Sequence, residues 1–397
     1  RKLLMGTDGV AAVIVALLVF VFPAPCDFSR GLTNGLLATA PCLVAVIGAV
    51  APMHRNATGV AVCLAGRLRA LSRTSGFLRN HLIAALSPKD LRPDVFLYSP
   101  VPTGAELGML GPFIGKPSIL QAVRFEDEGY VLDALGRNHE QVLRKAMRIK
   151  GNWLGSTGSE LLHGSRDRRS GTGVFMMHAQ EQCLEMIASR ERQRGVLYSR
   201  VVFTRTDLRW ILPHPPLELL RPDFAWVPDT GEDDWGGLYD KHYVLPRASA
   251  GVVLGSLRML TSGRAFDMII STVGPGALRY NHTNTERWLA VRLLASGLRV
   301  ARFPMTAYVS CDPGRWVSQV DARVPASELK GFECSETHDS RYPLEHEAVT
   351  HIATCLVRQP PGELGLWSRM AARRCYCDRQ LTLDIPSFPD SFELCHD

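Results

Sequence analysis

Short apolar runs alternate with longer amphipathic stretches from residue 59 to residue 303, the pattern of strands and helices taking turns. Residues 59–66 (GVAVCLAG) are apolar and close in glycine, which predicts a buried strand and a tight turn. A helical stretch opens at Arg67-Leu68-Arg69 and extends to residue 86. Residues 94–99 (DVFLYS), closed by Pro100 and Pro102, predict a second strand, and 118–125 a third. Residues 127–150 carry a helical period and end in Arg144, Lys145, Arg148 and Lys150, where a helix carboxyl end favours cations. A Gly-, Ser- and Arg-rich loop is predicted over 151–173 and a helix over 174–194. Residues 198–204 (YSRVVFT) predict the central strand, 224–227 (FAWV) another, and 299–303 (RVARF) the last. Helices are predicted over 248–260 and 263–270; after a Gly274-Pro275-Gly276 break, a further one begins at residue 284. The alternation predicts an α/β fold whose sheet is mainly parallel and flanked by helices.

The pattern changes at both ends. Residues 9–25 (GVAAVIVALLVFVFPAP) are uncharged and follow Arg1 and Lys2. A run of this kind approaches the roughly 17 to 25 residues that span a bilayer, and the flanking positives favour a cytoplasmic N-terminus. A cleaved signal peptide is the rival reading, with Ala24 near a possible cut. A second apolar run, 36–51, contains Pro41; a single span followed by a stem is favoured over a two-span hairpin. After residue 311 the chain is irregular and cysteine-rich. The expected organisation is a cytoplasmic stub and transmembrane anchor over 1–25 and a stem or second apolar segment over 26–57. A globular α/β domain follows over 58–310, then a cysteine-rich extension over 311–397.

Composition narrows the class. With 397 residues, 46% hydrophobic and 21% charged, the chain has enough apolar content for a globular core. A net charge of +6 without a lysine block suits an anionic small ligand and gives no nucleic-acid footprint. Eight of the ten cysteines follow the apolar N-terminal runs: Cys63, Cys183, Cys311, Cys334, Cys355, Cys375, Cys377 and Cys395. In an oxidising lumen this even set reads as disulfides. The C-x-C spacing of Cys375 and Cys377 lacks the gap of roughly two to four residues common in zinc pairs, which disfavours a zinc site with Cys395 and His396. The sequons at Asn56 and Asn281 are usable only in the same lumen.

The candidate chemistry sits where the central strand stops. The run Val201-Val202-Phe203 breaks into Arg205-Thr206-Asp207, and open α/β sheets gather ligands beyond the carboxyl ends of their strands. The plainer reading is an Arg–Asp ion pair at a strand end. Residues 229–240 hold Asp233, Asp234 and Asp240 with Trp235, Gly236 and Gly237. This mixture suits a sugar face through stacking and hydroxyl hydrogen bonds, and equally an exposed acidic turn with Asp240 and Lys241 facing solvent. Glu286 closes a Thr283-x-x-Glu286 capping box, which needs a glutamate for local reasons alone. His178, His214 and His242 are isolated in sequence and read as packing or surface residues. Neither G-x-S-x-G nor HExxH occurs, so a hydrolase of those kinds has no support.

These stretches carry a resemblance. AVCLAG followed by Arg67 and Arg69, YSRVVFTRTDLRW, FAWVP, EDDWGGLYDKHYV and NTERWLAVRLLASGLRV together resemble the nucleotide-diphospho-sugar transferases. More narrowly, they resemble glycosyltransferase-like proteins whose central strand ends in R-x-D. The resemblance covers residues 59–310 and implies a GT-A fold, a Rossmann-like sheet with the sugar nucleotide over its first half. It implies transfer of a sugar from a nucleotide-diphosphate donor to a glycan or protein acceptor, by a single-pass type II protein of the Golgi or endoplasmic reticulum membrane with a luminal body. Gly66, Arg67, Arg69, Arg205 and Asp207 would meet the donor. Asp233, Asp234, Trp235, Gly236, Gly237 and Asp240 would hold donor or acceptor sugar, and Asp207, Asp234 and Glu286 would be the catalytic acids. The family holds Mn²⁺ or Mg²⁺ with D-x-D. Here Arg205 takes the first acid's place, leaving Asp207 as the metal ligand or Arg205 as the metal's replacement. Loss of that acid also admits a catalytically silent relative that binds carbohydrate or a protein partner at the membrane.

Overall fold

The computed structural model describes residues 57–87, 92–114, 119–146, 172–229, 237–273, 285–311, 345–347, 349–350 and 353. Seven strands form one sheet in the order β3-β2-β1-β4-β7-β6-β8. They are β1 (Val60–Ala65), β2 (Asp94–Pro100), β3 (Leu120–Glu126), β4 (Arg200–Arg205), β6 (Ala225–Asp229), β7 (His242–Pro246) and β8 (Val300–Pro304). The pairs β1–β2, β2–β3, β1–β4 and β6–β8 are parallel; β7 runs antiparallel to both β4 and β6. Two three-residue strands, β5 (Leu208–Trp210) and β9 (Ala307–Val309), pair antiparallel in a separate small sheet. The sheet is therefore mixed and mainly parallel, with helices on both faces, as the alternation predicts.

β1 shows why this sequence takes that position. All six of its residues are buried, as a central strand of a doubly covered sheet requires. Val60, Val62 and Leu64 enter the core on one face, with α1 (Leu71–Phe77) and the small β5–β9 sheet. Ala61, Cys63 and Ala65 enter the core on the other, under the long helix that precedes β4. Numbering in chain order, that helix is α3 (Thr172–Arg194), after α2 (Glu128–Ala146). Next come α4 (Arg247–Leu254), α5 (Ser256–Thr261), α6 (Arg264–Val273) and α7 (Thr285–Ala295). Phe266, Leu260, Trp288 and Val291 build a third cluster among the helices. A disulfide joins Cys63 on β1 to Cys183 on α3, both without solvent exposure, and Cys311 is also disulfide-bonded.

Among the described residues no helix is long and apolar enough to cross a membrane. The run 9–25, the second apolar run, the sequon asparagines Asn56 and Asn281 and the five cysteines from Cys334 onward lie outside the described residues. Part of the expected C-terminal extension does join the domain: Val349 is fully buried in the α1-side core, and Glu345 is fully buried beside it.

Candidate active site at the carboxyl edge of the sheet

The direction of winding reverses between β1 and β4. β1 continues to β2 and β3 on one side, and β4 begins the other half, so their carboxyl ends frame a switch point. β1 ends at Gly66, whose φ of 137° lies where side chains are strained. Its neighbour explains the glycine: a Cβ there would lie 2.4 Å from Thr206 Oγ1. Thr206 is stitched to this turn on three sides. Its N–H donates to Ala65 O at 3.0 Å, its hydroxyl donates to Arg67 O at 3.2 Å, and its carbonyl accepts from Thr74 Oγ1 at 2.6 Å. The triplet 205–207 is thereby fixed against the end of β1.

Arg205 and Asp207 make the ion pair that the plainer sequence reading expects. Arg205 Nε donates to Asp207 Oδ1 at 2.8 Å, and Nη2 donates to Oδ2. Both side chains are largely buried, with 15% and 22% exposure. The backbone of Arg205 donates to Lys241 O at 3.2 Å, and Asp207 O accepts from Ser310 N at 2.8 Å. The pair therefore lies between the β1 turn, the start of β7 and the end of β9.

The neighbouring group is Asp240, Lys241 and Glu286. The solvent-facing reading of Asp240 and Lys241 is wrong for the lysine, which is 3% exposed. Its ammonium lies 4.3 Å from the centroid of the Tyr239 ring and 4.0 Å from Asp240 Oδ1, so the ring face and the carboxylate replace water around the charge. Tyr239 is held in turn by Glu345, which accepts its hydroxyl at 2.6 Å and the Val309 N–H at 2.9 Å. Glu286 starts α7, where Thr285 Oγ1 donates to its carboxyl at 3.1 Å. Gly237 packs directly on that turn: a Cβ at Gly237 would lie 2.3 Å from Arg287 N. Burial first, and the Asp240 charge second, push the Glu286 carboxyl up to about 7, with Lys241 opposing.

On the β1–β3 side, Arg67 donates to Glu128 at 2.6 Å and is 45% exposed. Arg69 lies in the short turn after it. Beyond them Glu126 accepts from Tyr98 OH at 3.2 Å and meets His178 Nε2 at 2.5 Å. Among the expected site residues the structure thus brings Gly66, Arg67, Arg205, Asp207, Gly237, Asp240 and Glu286 to one edge. Asp233, Asp234, Trp235 and Gly236 lie outside the described residues. Tyr239 and Glu345 carry no local signal along the chain, and His214 and His242, apart in sequence, meet at 3.2 Å in the core.

A divalent cation is what the resemblance implies at Asp207, and the described residues around it gather no ligand set for one. Both carboxylate oxygens of Asp207 already accept from a guanidinium whose charge is permanent. Among the described residues no group of three His, Cys, Asp or Glu side chains is placed to hold a metal.

No family model and no curated protein matches the chain. A solved structure that is similar to it is mouse xyloside xylosyltransferase 1 in its apo form. It aligns over 68% of this chain and 91% of that one, at 10% identity and a TM-score of 0.36. A superposition that loose transfers neither residue roles nor substrate.

Proposed function

We propose that the chain is a GT-A-like glycosyltransferase that moves a sugar from a nucleotide-diphosphate donor to a glycan or protein acceptor. The observation that carries this reading is the charged set Arg67, Arg205, Asp207, Asp240, Lys241 and Glu286 at the switch point of a mainly parallel sheet. In this reading the donor diphosphate lies over the Gly66 turn, against Arg67 and Arg205. The acceptor hydroxyl lies toward Glu286, whose carboxyl, held near neutrality, is matched to proton transfer at cellular pH. The acceptor oxygen bonds to the anomeric carbon as the sugar–phosphate bond breaks. The electron pair leaves on the diphosphate, and the acceptor proton passes to Glu286. Arg205 and Lys241 offset the charge that develops on the leaving group. Asp233, Asp234 and Trp235 would contribute to the sugar site.

We place the body in the lumen of the Golgi or endoplasmic reticulum, anchored through residues 9–25. The buried Cys63–Cys183 disulfide supports an oxidising compartment. A second reading, a catalytically silent carbohydrate- or partner-binding relative, is favoured by the closed Arg205–Asp207 fork. A panel of sugar nucleotides, assayed for binding and for hydrolysis or transfer by the full chain, separates the two. Turnover of any donor supports the enzyme; binding without turnover across acceptors supports the silent relative; no binding of any donor removes the enzyme and leaves a carbohydrate- or partner-binding relative. N-glycans at Asn56 or Asn281 removable by endoglycosidase would support the luminal placement.

A further inference from the structure

We propose that this site handles a nucleoside diphosphate without a divalent cation, the fixed charge of Arg205 acting where a metal would otherwise sit. The inference rests on the glycosyltransferase reading and concerns the cation chemistry of that same edge. Arg205 stands where the resemblance implies the first acid of D-x-D, and its side chain is 15% exposed and grips Asp207 through Nε and Nη2. A guanidinium does not lose its proton at any working pH. A hard cation at Asp207 would need carboxylate oxygens already engaged, and would lie against a permanent like charge.

The rest of the edge repeats the theme. Asp240 lies 4.0 Å from Lys241, Asp229 lies 3.8 Å from Arg302, and Glu128 accepts from Arg67 at 2.6 Å. Among the described residues each of these acids is paired with a base, where a metal site would gather several carboxylates at one point. The pairing suits a diphosphate better. The permanent charge of Arg205 draws phosphate oxygens to this edge beyond its pairing with Asp207, and Lys241, whose carbonyl accepts from the Arg205 N–H just before β7, brings a second cation beside it. Asp207 then becomes a positioning residue that keeps the Arg205 fork aimed along the edge.

The test is calorimetric titration of the full chain with UDP and with GDP, in chelator and then in Mn²⁺. The expected result is binding of at least one of them whose Kd changes less than about twofold between the two conditions. Arg205→Gln should weaken binding about tenfold or more in chelator, as loss of a charge-assisted contact does, while Arg205→Lys retains part of it. Arg205→Asp rebuilds the paired acids, so its nucleotide binding should become dependent on Mn²⁺, with bound Mn²⁺ visible by electron paramagnetic resonance. Binding by the unsubstituted chain only with Mn²⁺ overturns this inference and leaves the glycosyltransferase reading standing. No binding of either nucleotide under either condition overturns both. The chelator comparison uses no variant, so it decides the matter even if a substitution impairs folding.

Discussion

Tyr239 and Glu345, separated by 106 positions, meet in the interior, where the phenol donates to Oε1 at 2.6 Å. The other carboxylate oxygen accepts the Val309 N–H, so one buried side chain ties the Lys241 platform to β9. Glu345→Ala would strand both donors. Each orphaned buried group costs about 1 to 3 kcal/mol, so a loss of roughly 3 kcal/mol is expected by urea unfolding. Glu345→Gln keeps an acceptor and should cost less. An unchanged urea midpoint for Glu345→Ala would remove residue 345 from the domain's support.

Gly66 gives a second test. Alanine there meets Thr206 Oγ1 at 2.4 Å on a backbone with φ of 137°. Gly66→Ala should cost about 1 to 3 kcal/mol. Thr206→Ala removes the clashing oxygen but not the backbone strain. The double variant should therefore be more stable than the two single losses summed, and strict additivity would show that no steric contact exists.

Much of this arrangement is legible in the sequence, for definite reasons. β1, β2, β4, β6 and β8 are largely apolar runs bounded by turn residues, β3 mixes apolar residues with Gln121, Arg124 and Glu126, and each lies within a residue or two of its expected span. β7 carries no such signal. His242–Pro246 is five residues long and ends in proline, and it enters antiparallel between β4 and β6, which simple strand–helix alternation does not announce. Arg205 and Asp207 were visible because charge interrupts an apolar run. Lys241 was not, because only the folded chain shows the Tyr239 ring beneath its ammonium. An even number of cysteines pointed to disulfides, whereas the Cys63–Cys183 pairing could be known only from the fold.

That pairing has a measurable weight. Cys63 and Cys183 are 120 residues apart, and closing so long a loop in the unfolded chain is worth about 3 to 5 kcal/mol in the chain-entropy account. The double variant Cys63→Ala/Cys183→Ala should lose stability on that scale in guanidinium unfolding. A loss below about 1 kcal/mol would mean that the core holds β1 to α3 without the covalent link.

Glu286 should leave its own mark on the pH dependence of stability. Its folded-state carboxyl is raised to about 7 from an ordinary value of 4.5, by burial and then by Asp240. A raised pKa gives stability that is fully present below the unfolded value and is lost as pH rises through the folded one. Its contribution therefore falls between pH 4.5 and 7, by at most about 1.4 kcal/mol per pH unit. Subtracting the Glu286→Gln profile from the unsubstituted one should isolate this slope. A flat difference would mean that Glu286 titrates alike in both states and is not tuned to accept a proton near neutrality.

His214 and His242 act in the opposite sense, and they outweigh it. His214 Nδ1–H donates to Pro215 O at 2.6 Å, so its Nε2 accepts from His242 Nε2–H at 3.2 Å, and His242 Nδ1 has no hydrogen-bond partner among the described residues. Trp210 and Phe303 pack on both rings, and neither histidine has solvent exposure. Burial lowers His214 from 6.5 to about 3 and holds His242 well below 6.5, the second with help from His214. A depressed pKa gives stability that is present above the unfolded value and lost as pH falls below it. Two such groups can remove up to about 2.7 kcal/mol per pH unit on acidification below 6.5, while Glu286 returns at most about half of that. Stability should therefore drop from pH 6.5 to pH 5. The drop should steepen in Glu286→Gln, which lacks the offset, and become shallower in His242→Phe, which has one fewer proton to take up. The imidazole resonances decide the origin: in the folded chain both should stay neutral at pH 5.5. A folded-state titration near 6.5 would show that the two rings reach water and that the acid loss arises elsewhere.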